Sequence, residues 1–458
     1  MKNINRRTFL KAAAWTLASS TVGCTTVSSV GKSRKWNIIY ILADDLGWAE
    51  LGCYGNKFNE TPNIDKLRRQ GMLFTDAYAA APVCSPYRAA LMTGQYPARV
   101  GITDYLRSDS QKHLSLDYVT MAEMFKSAGY VTGITGKWHL SGYKNRGVRK
   151  ETLPNQHGFD EVMISEKTGI GGGSYFYPYK KVDPTIAKKL PGQTEYLTDR
   201  LNVEAVEFIE RHKDEPFFFY KSHYAVHTRL NGKPDLVKYF EAKPGAGRGK
   251  KAKKNNPHLT AQLKVIDEGV GMIMDKLAAL GIAERTIIVF TGDNGGESRV
   301  TSNAPLRAGK STTYEGGIRE PLIIKWPGRV APATRCSQPT MNIDFYPTFA
   351  EIIGAKIDTV QHIDGISIVP LLQSRSIARD TLYWHYPLAK PHFLGGRSSG
   401  AIRKGQWKLI EFFDDGHFEL YNLVADIGEK NDLSQRYPGK VVELQKLLSK
   451  WRCDVGVE

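Results

Sequence analysis

The 458-residue chain holds only five cysteines, and no two of them stand at the spacing of a zinc site. Beyond its first two dozen residues it has no apolar run long enough to cross a bilayer as a helix, which excludes a helical multispanning protein. It has no internal repeat and no recognisable nucleic-acid-binding module. Apart from one run, its 63 Lys and Arg are scattered along the chain, so nucleic acid is not an expected partner. Acidic residues are also scarce, and 47 Asp and Glu leave a formal charge of +16. That surplus favours anionic partners, among them sulfated or phosphorylated small molecules and polyanionic glycans.

The first feature present is Arg6-Arg7-Thr8-Phe9-Leu10-Lys11, followed by a mildly apolar stretch from Ala12 to Val22. Too short to span a membrane, it reads as a twin-arginine export signal over residues 1–23. Its loss would take Lys2, Arg6, Arg7 and Lys11 and no acid, leaving +12. Thr21-Val22-Gly23-Cys24 resembles a lipoprotein processing box, with threonine where an aliphatic residue is usual. Lipid anchoring through Cys24 and ordinary cleavage nearby both stay open, and the anchor is the one expected tie to a membrane. The expected location is the periplasm or the cell surface.

Apolar runs of strand length cover Trp36 to Leu42, Val131 to Thr135, Phe217 to Tyr220 and Thr286 to Phe290, each followed closely by polar or titratable residues. Continuous runs of this kind mark strands buried on both faces. Helical patterns lie between them, from Asn63 to Gln70, Met121 to Ala128, Glu204 to Arg211 and Leu259 to Leu280. The alternation predicts a doubly wound α/β fold whose ligands bind beyond the carboxyl ends of the strands. This domain is expected over residues 36–372. From residue 373 to 458 the pattern changes to short strands over 381–385, 400–413 and 417–423, then a closing helix over 439–451, which predicts a smaller α+β subdomain with an antiparallel sheet. The basic run Arg248-Gly249-Lys250-Lys251-Ala252-Lys253-Lys254 reads as a solvated loop, with contact to a polyanionic substrate as the alternative.

Six tracts carry chemistry. Asp44 and Asp45 close the first strand, and Asp293 and Asn294 close the strand of residues 286–290. Four hard oxygen side chains of this kind suit Ca²⁺ or Mg²⁺, although either pair alone is as well a turn or cap. Cys84-Ser85-Pro86-Tyr87-Arg88 has the form C-x-P-x-R and opens a helix-compatible segment, whose N-terminus favours an anion. Gly136-Lys137-Trp138-His139-Leu140, His227 within Ser222 to Thr228, and Lys310 within Leu306 to Lys310 supply cations and imidazoles.

Together these tracts, from residue 36 to 433, resemble the type I sulfatases, arylsulfatase-like members of the alkaline-phosphatase superfamily. The resemblance implies a large mixed sheet flanked by helices. It also implies that Cys84 is oxidised by a formylglycine-generating maturation enzyme, and that Asp44, Asp45, Asp293, Asn294 and residue 84 hold Ca²⁺. With Cys84 converted and Cys24 lost or lipidated, Cys53, Cys336 and Cys453 leave room for one disulfide at most. By the same resemblance Arg88 fixes the formylglycine, Lys137 and Lys310 grip the sulfate, and His139 and His227 serve proton transfer. The expected role goes to His227 rather than His223, although Val226 replaces the usual proline before that histidine. Arg307 and Arg319 are expected to be structural.

The implied activity is removal of sulfate from a sulfated saccharide. A phosphodiesterase or phosphonate hydrolase on the same scaffold, and a non-catalytic glycan-binding protein with an unconverted Cys84, are the alternatives. His157, His385, His392 and Arg397 are the candidates for sugar contacts, because polar and aromatic residues gather around them.

Overall fold

The first apolar run forms β1 (Asn37–Ala43), and its side chains alternate between two cores. Ile38, Tyr40 and Leu42 share one with Phe125, Phe345 and Phe349, while Ile39, Ile41 and Ala43 share the other with Leu201, Phe208, Leu263 and Val270. Burial on both faces is why the run shows no polar alternation. The computed structural model describes residues 35–142, 152–166, 175–179, 182, 187–192, 194–357 and 360–458. The export signal read over residues 1–23 and the lipid-anchor candidate Cys24 lie outside them.

Eight further strands join β1 in one sheet: β2 (Met72–Tyr78), β3 (Val131–Gly136), β4 (Glu161–Met163), β5 (Phe217–Ser222), β6 (Thr286–Gly292), β7 (Arg319–Lys325), β8 (Thr334–Cys336) and β9 (Thr340–Met341). The order is β4-β3-β5-β1-β6-β7-β2-β8, with β9 also paired to β2. Neighbours from β4 to β6 run parallel, whereas β7 is antiparallel to both β6 and β2. The sheet is therefore mixed. Because β3, β5, β1 and β6 are adjacent and parallel, the residues after each of them meet at one edge. The helices Pro62–Arg69, Leu197–Arg211 and Pro257–Ala279 supply the second core, and Cys84–Thr93, Met121–Ser127 and Phe345–Ile353 the first.

A second sheet, β10 (Thr381–Tyr386), β11 (Ser399–Lys404), β12 (Trp407–Phe412) and β13 (Phe418–Asn422), is antiparallel in that order. The segment 400–413 is two strands rather than one, because Gly405 takes φ 56° and turns the chain. Helix Pro438–Val455 covers this sheet through Leu444, Leu448 and Trp451, in a core shared with Tyr78 and Ala90 of the larger layer. A buried ion network fastens the two sheets: Lys408 pairs with Glu315 and Glu429 at 2.8 Å each, and Arg319 and Arg403 pair with Asp76 at 2.8 Å. Arg319 and, through Tyr421 and the Glu429 carbonyl, Arg307 thus have the structural roles expected of them. Both sheets belong to one compact unit, residues 35–458. Among the described residues no helix is long and apolar enough to cross a membrane, and Cys53, Cys84, Cys336 and Cys453 are all free thiols.

Candidate active site

Cys84 is the first residue of helix Cys84–Thr93, preceded by Val83 in an extended conformation. The helix's unpaired N–H groups and dipole therefore face the sheet edge where β1, β3, β5 and β6 end. The thiol is 1% exposed. Sγ lies 3.4 Å from Asp44 Oδ1 and 3.6 Å from Lys310 Nζ. Burial first, and then Asp44, push its pKa well up against the pull of Lys137 and Lys310, so the sulfur is held as an un-ionised thiol. In that state it is a weak nucleophile.

Three carboxylates meet three cations around this thiol. Lys137 pairs with Asp44, Lys310 lies 2.7 Å from Asp45 Oδ1, and Arg88 lies 2.8 Å from Asp293 Oδ2. All six are almost wholly buried. Arg88 sits one helical turn beyond Cys84 and also donates to Ser222 Oγ at 2.5 Å and to the Lys137 carbonyl at 3.0 Å. Its fork thereby ties the ends of β3, β5 and β6 together. Gly136 makes the Lys137 turn possible, since it takes φ 93° and an added Cβ would lie 2.0 Å from the Ser222 carbonyl.

The oxygens of this group fit a hard divalent cation. One ligand atom from each of Asp44, Asp45, Cys84 and Asp293 lies within 4.8 Å of all the others. Asn294 donates its Nδ2 to Asp45 Oδ1 at 2.8 Å and to the Gly295 carbonyl, yet its buried Oδ1 has no hydrogen-bond partner among the described residues. An orphaned amide oxygen beside three carboxylates is an expected ligand for Ca²⁺. Burial, and next the neighbouring Asp44 charge, raise Asp293 to about 6, the crowding that a cation relieves. Sulfur is the one soft atom in the set; an oxygen on residue 84 would complete it.

His139 and His227 both feel the charges of this centre. His139, in the left-handed region at φ 56°, is held by Glu166, which accepts the backbone N–H groups of Trp138 and His139 at 2.7 Å each. Its Nε2 lies 2.9 Å from the Leu106 carbonyl. A carbonyl only accepts, so Nε2 carries the proton and the partnerless, buried Nδ1 is a free base. Burial, followed by Lys137 and Arg88, keeps this ring neutral. His227 donates Nδ1–H to the Thr228 carbonyl at 2.5 Å and turns Nε2 toward Asp45 Oδ2, 3.7 Å away. Burial and then Lys310 lower it to about 4, although Asp45 opposes them. His223 instead lies fully buried beside Lys221 and makes no contact with the carboxylates.

Of the four sugar-contact candidates only His392 lies at this centre. Its ring is 8% exposed and feels the charges of Lys310, Arg107, Arg299 and Asp45, while burial is the main cause that brings it to about 4. Gly396 seats this segment against the Lys310 loop, because an added Cβ would lie 1.8 Å from the Ser311 carbonyl. His157 is 0% exposed, with its ring 5.4 Å from that of Trp138, so it is a core residue and offers no face to a ligand. His385 packs on Phe413 in the smaller sheet, with Arg452 as the neighbouring charge. Arg397 is held outward by Asp414 and Asp415 at 2.5 and 2.7 Å and by the ring of Phe412. The pattern of polar and aromatic residues that suggested these three reflects the packing of the smaller sheet and, for His157, of the core.

Four participants had escaped sequence reasoning: Ser222, Glu166, the Leu106 carbonyl and Tyr386. The buried Tyr386 hydroxyl has no partner, and the charges of Lys310 and Cys84 reach it. A strand-ending serine after β5 was a faint signal for the first; nothing local marked the others.

The chain matches known proteins along nearly its whole length. The sulfatase family profile covers residues 36–355, and a profile described as N-sulphoglucosamine sulphohydrolase, C-terminal, covers residues 309–452. A sulfatase of Formosa agariphila is 35% identical over 89% of this chain and 86% of its own. Arylsulfatase A of Homo sapiens is 33% identical over 84% of this chain and 76% of its own. The crystal structure of Ps i-CgsB superposes with a TM-score of 0.79 at 34% identity, covering 91% of this chain and 93% of that one. Phosphonate monoester hydrolase of Agrobacterium radiobacter shares the fold, with a TM-score of 0.70 at 21% identity over 92% of this chain and 96% of that one. With Cys84 at a helix N-terminus, a ring of hard oxygens and three buried cations in place, the chain belongs to the sulfatase family of the alkaline-phosphatase superfamily, enzymes that hydrolyse sulfuric esters.

Proposed function

We propose that the protein is exported and removes sulfate from a sulfated saccharide, with Cys84 oxidised to formylglycine by a maturation enzyme and Ca²⁺ held by Asp44, Asp45, Asp293 and Asn294. The observation that carries this reading is the position of Cys84: a buried thiol, held un-ionised, at the convergence of a helix N-terminus, hard oxygen ligands and three cations. The hydrated aldehyde at residue 84 supplies an oxygen nucleophile toward sulfur, and the cation supplies positive charge against the sulfate oxygens. Lys137, Lys310 and Arg88 add fixed charges aimed at the same point, a stabilisation present before reaction and therefore of large effect.

Proton traffic follows from the tautomers. Lys310 Nζ carries protons 3.6 Å from Sγ and can give one to the departing alcohol oxygen. His227 has committed its Nδ1 proton to Thr228, so it can return a proton from Nε2 only after taking one up. His139 Nδ1, unprotonated and without a hydrogen-bond partner among the described residues, is the base that would accept a proton from residue 84 in its oxidised, hydrated form as sulfate leaves. Near Lys310, Tyr105 and His392 meet edge to face at 5.6 Å, and Phe393, 67% exposed, stacks on His392 and has the Arg299 guanidinium 5.1 Å from its ring. Aromatic faces flanked by arginines suit a sugar ring bearing anionic groups. The saccharide reading is supported by Ps i-CgsB, a relative solved with k-i-k-neocarrahexaose.

The test is a screen of defined sulfated mono- and oligosaccharides with matured protein, run beside matched phosphate esters and with Cys84→Ala as the blank. Sulfate release from a saccharide by the matured protein alone is expected. Turnover confined to phosphate esters, or unaltered in the blank, overturns the proposal.

A further inference from the structure

Away from Cys84 a cleft of about 620 Å³ opens between the 49–59 segment after β1, Lys243 and Pro244 beyond helix Pro234–Glu241, residues 254–256 and the 301–305 loop. Among the described residues, Glu50 is the only carboxylate that lines it. Both of its oxygens are taken, by Thr301 Oγ1 and by Asn59 Nδ2 at 2.5 Å, and burial raises its pKa. Lys57 and Lys254 line the cleft, are exposed, and have no ion-pair partner among the described residues. Lys243 is already paired with Glu60 at 2.9 Å.

The basic run borders this cleft, and Arg248, Lys250, Lys251 and Lys253 are likewise exposed without ion pairs. Its backbone is fastened down. Asn256 Nδ2 donates to the carbonyls of Lys250, Ala252 and Val300 at 3.0 to 3.1 Å, so one buried side chain ties the run to the 301–305 side of the cleft. That side continues into the active site: Asn303 bonds both backbone groups of Gly296 and the Ala308 carbonyl, and Lys310 N–H donates to the Gly296 carbonyl. A strip of six unpaired cations beside an open cleft suits an extended polyanion better than a small anion, which needs convergent buried donors. The aromatic residues in the lining have no free, exposed face of the kind base stacking requires: Phe58 is 6% exposed, and Tyr54 is half-buried against Trp48.

We infer that this cleft and its basic rim bind a sulfated polysaccharide, holding a non-reacting stretch of the chain whose ester reaches residue 84. The inference rests on the proposed saccharide substrate, and the experiment separates the two. Lys57→Glu/Lys254→Glu is compared with Arg335→Glu/Lys446→Glu, an equal charge reversal at exposed sites elsewhere, after thermal unfolding confirms that both fold. Binding to dextran sulfate is titrated at physiological salt, and 4-nitrophenyl sulfate turnover is followed in matured protein. The cleft variant should bind dextran sulfate at least about tenfold more weakly, the loss of two charged contacts, with the control within about twofold and 4-nitrophenyl sulfate turnover unchanged in both. Equal weakening in the two variants overturns the inference. So does duplex DNA competing as well as dextran sulfate at equal charge. Should the wild type bind dextran sulfate through these lysines yet release no sulfate from any saccharide once matured, the binding site stands and the proposed substrate fails.

Discussion

Replacing Arg88 by methionine removes the buried cation that is ion-paired with Asp293. The guanidinium is 1% exposed and the carboxylate 0%, so neither can recover solvation without opening the core. Deleting one partner of a buried pair costs about 3–5 kcal/mol. The hydrogen bonds to Ser222 Oγ and the Lys137 carbonyl add about 1 kcal/mol each, while methionine fills most of the volume. Against a stability of about 5–15 kcal/mol, the variant should be folded but weakened by about 5–7 kcal/mol. Equilibrium urea unfolding in chelator measures this. A second variant, Asp293→Asn, and the double variant close a thermodynamic cycle whose coupling should reach about 2–3 kcal/mol, because the double change leaves no buried charge unpaired. Arg88→Met unfolding within 1 kcal/mol of wild type, or a cycle that is additive, refutes the argument.

Calcium at a hundredfold its dissociation constant should stabilise the protein by about 2.7 kcal/mol, an effect reversed by chelator and lost in Asp45→Asn/Asp293→Asn; calorimetric titration reads it. Lys221, fully buried with Asn202 Oδ1 at 2.6 Å as its one hydrogen-bond partner among the described residues, is lowered by burial from 10.5 to about 7. Between those values the unfolded chain binds the extra proton, so stability rises with pH across that window, by about 3 kcal/mol from pH 7 to 9.5 for this group. Lys221→Met should lack that increment, and unfolding of both proteins at the two pH values checks it. Arg397→Ala, which breaks only exposed pairs, should cost under about 1 kcal/mol and leave KM for a saccharide sulfate unchanged, while His392→Ala should raise KM severalfold. The opposite order would return Arg397 to the substrate's surroundings.

How much was legible in the sequence follows from how each residue acts. The strands that build the site are buried on both faces, so their apolar runs stand out, and the residues that follow them on parallel neighbours must meet. Position placed Asp44, Lys137, His227 and Asp293 just beyond those strands, while their roles came only from the resemblance to a family. β2 and β7 were not legible, because Asp76 and Arg319 interrupt their apolar pattern with charges that pair with each other inside the large sheet and, for Asp76, with Arg403 of the smaller one. Helix Leu197–Arg211 begins seven residues before its expected start because Leu197 and Leu201 complete a stripe with Phe208 that faces the second core. Glu166 and the Leu106 carbonyl act through backbone geometry that no side-chain pattern announces. His157 and Arg397 show the converse: residue types suited to sugar contact, used here for packing and for an exposed ion pair.

The central claim is that residue 84 works as an aldehyde and not as a thiol. Protein expressed with and without a formylglycine-generating enzyme can be digested, the peptide containing residue 84 weighed, and sulfate ester turnover measured on the same samples. The account predicts a peptide lighter by the difference between a thiol-bearing methylene and an aldehyde group, with turnover proportional to the converted fraction and absent in Cys84→Ala. Full turnover by protein in which residue 84 is entirely thiol would contradict it.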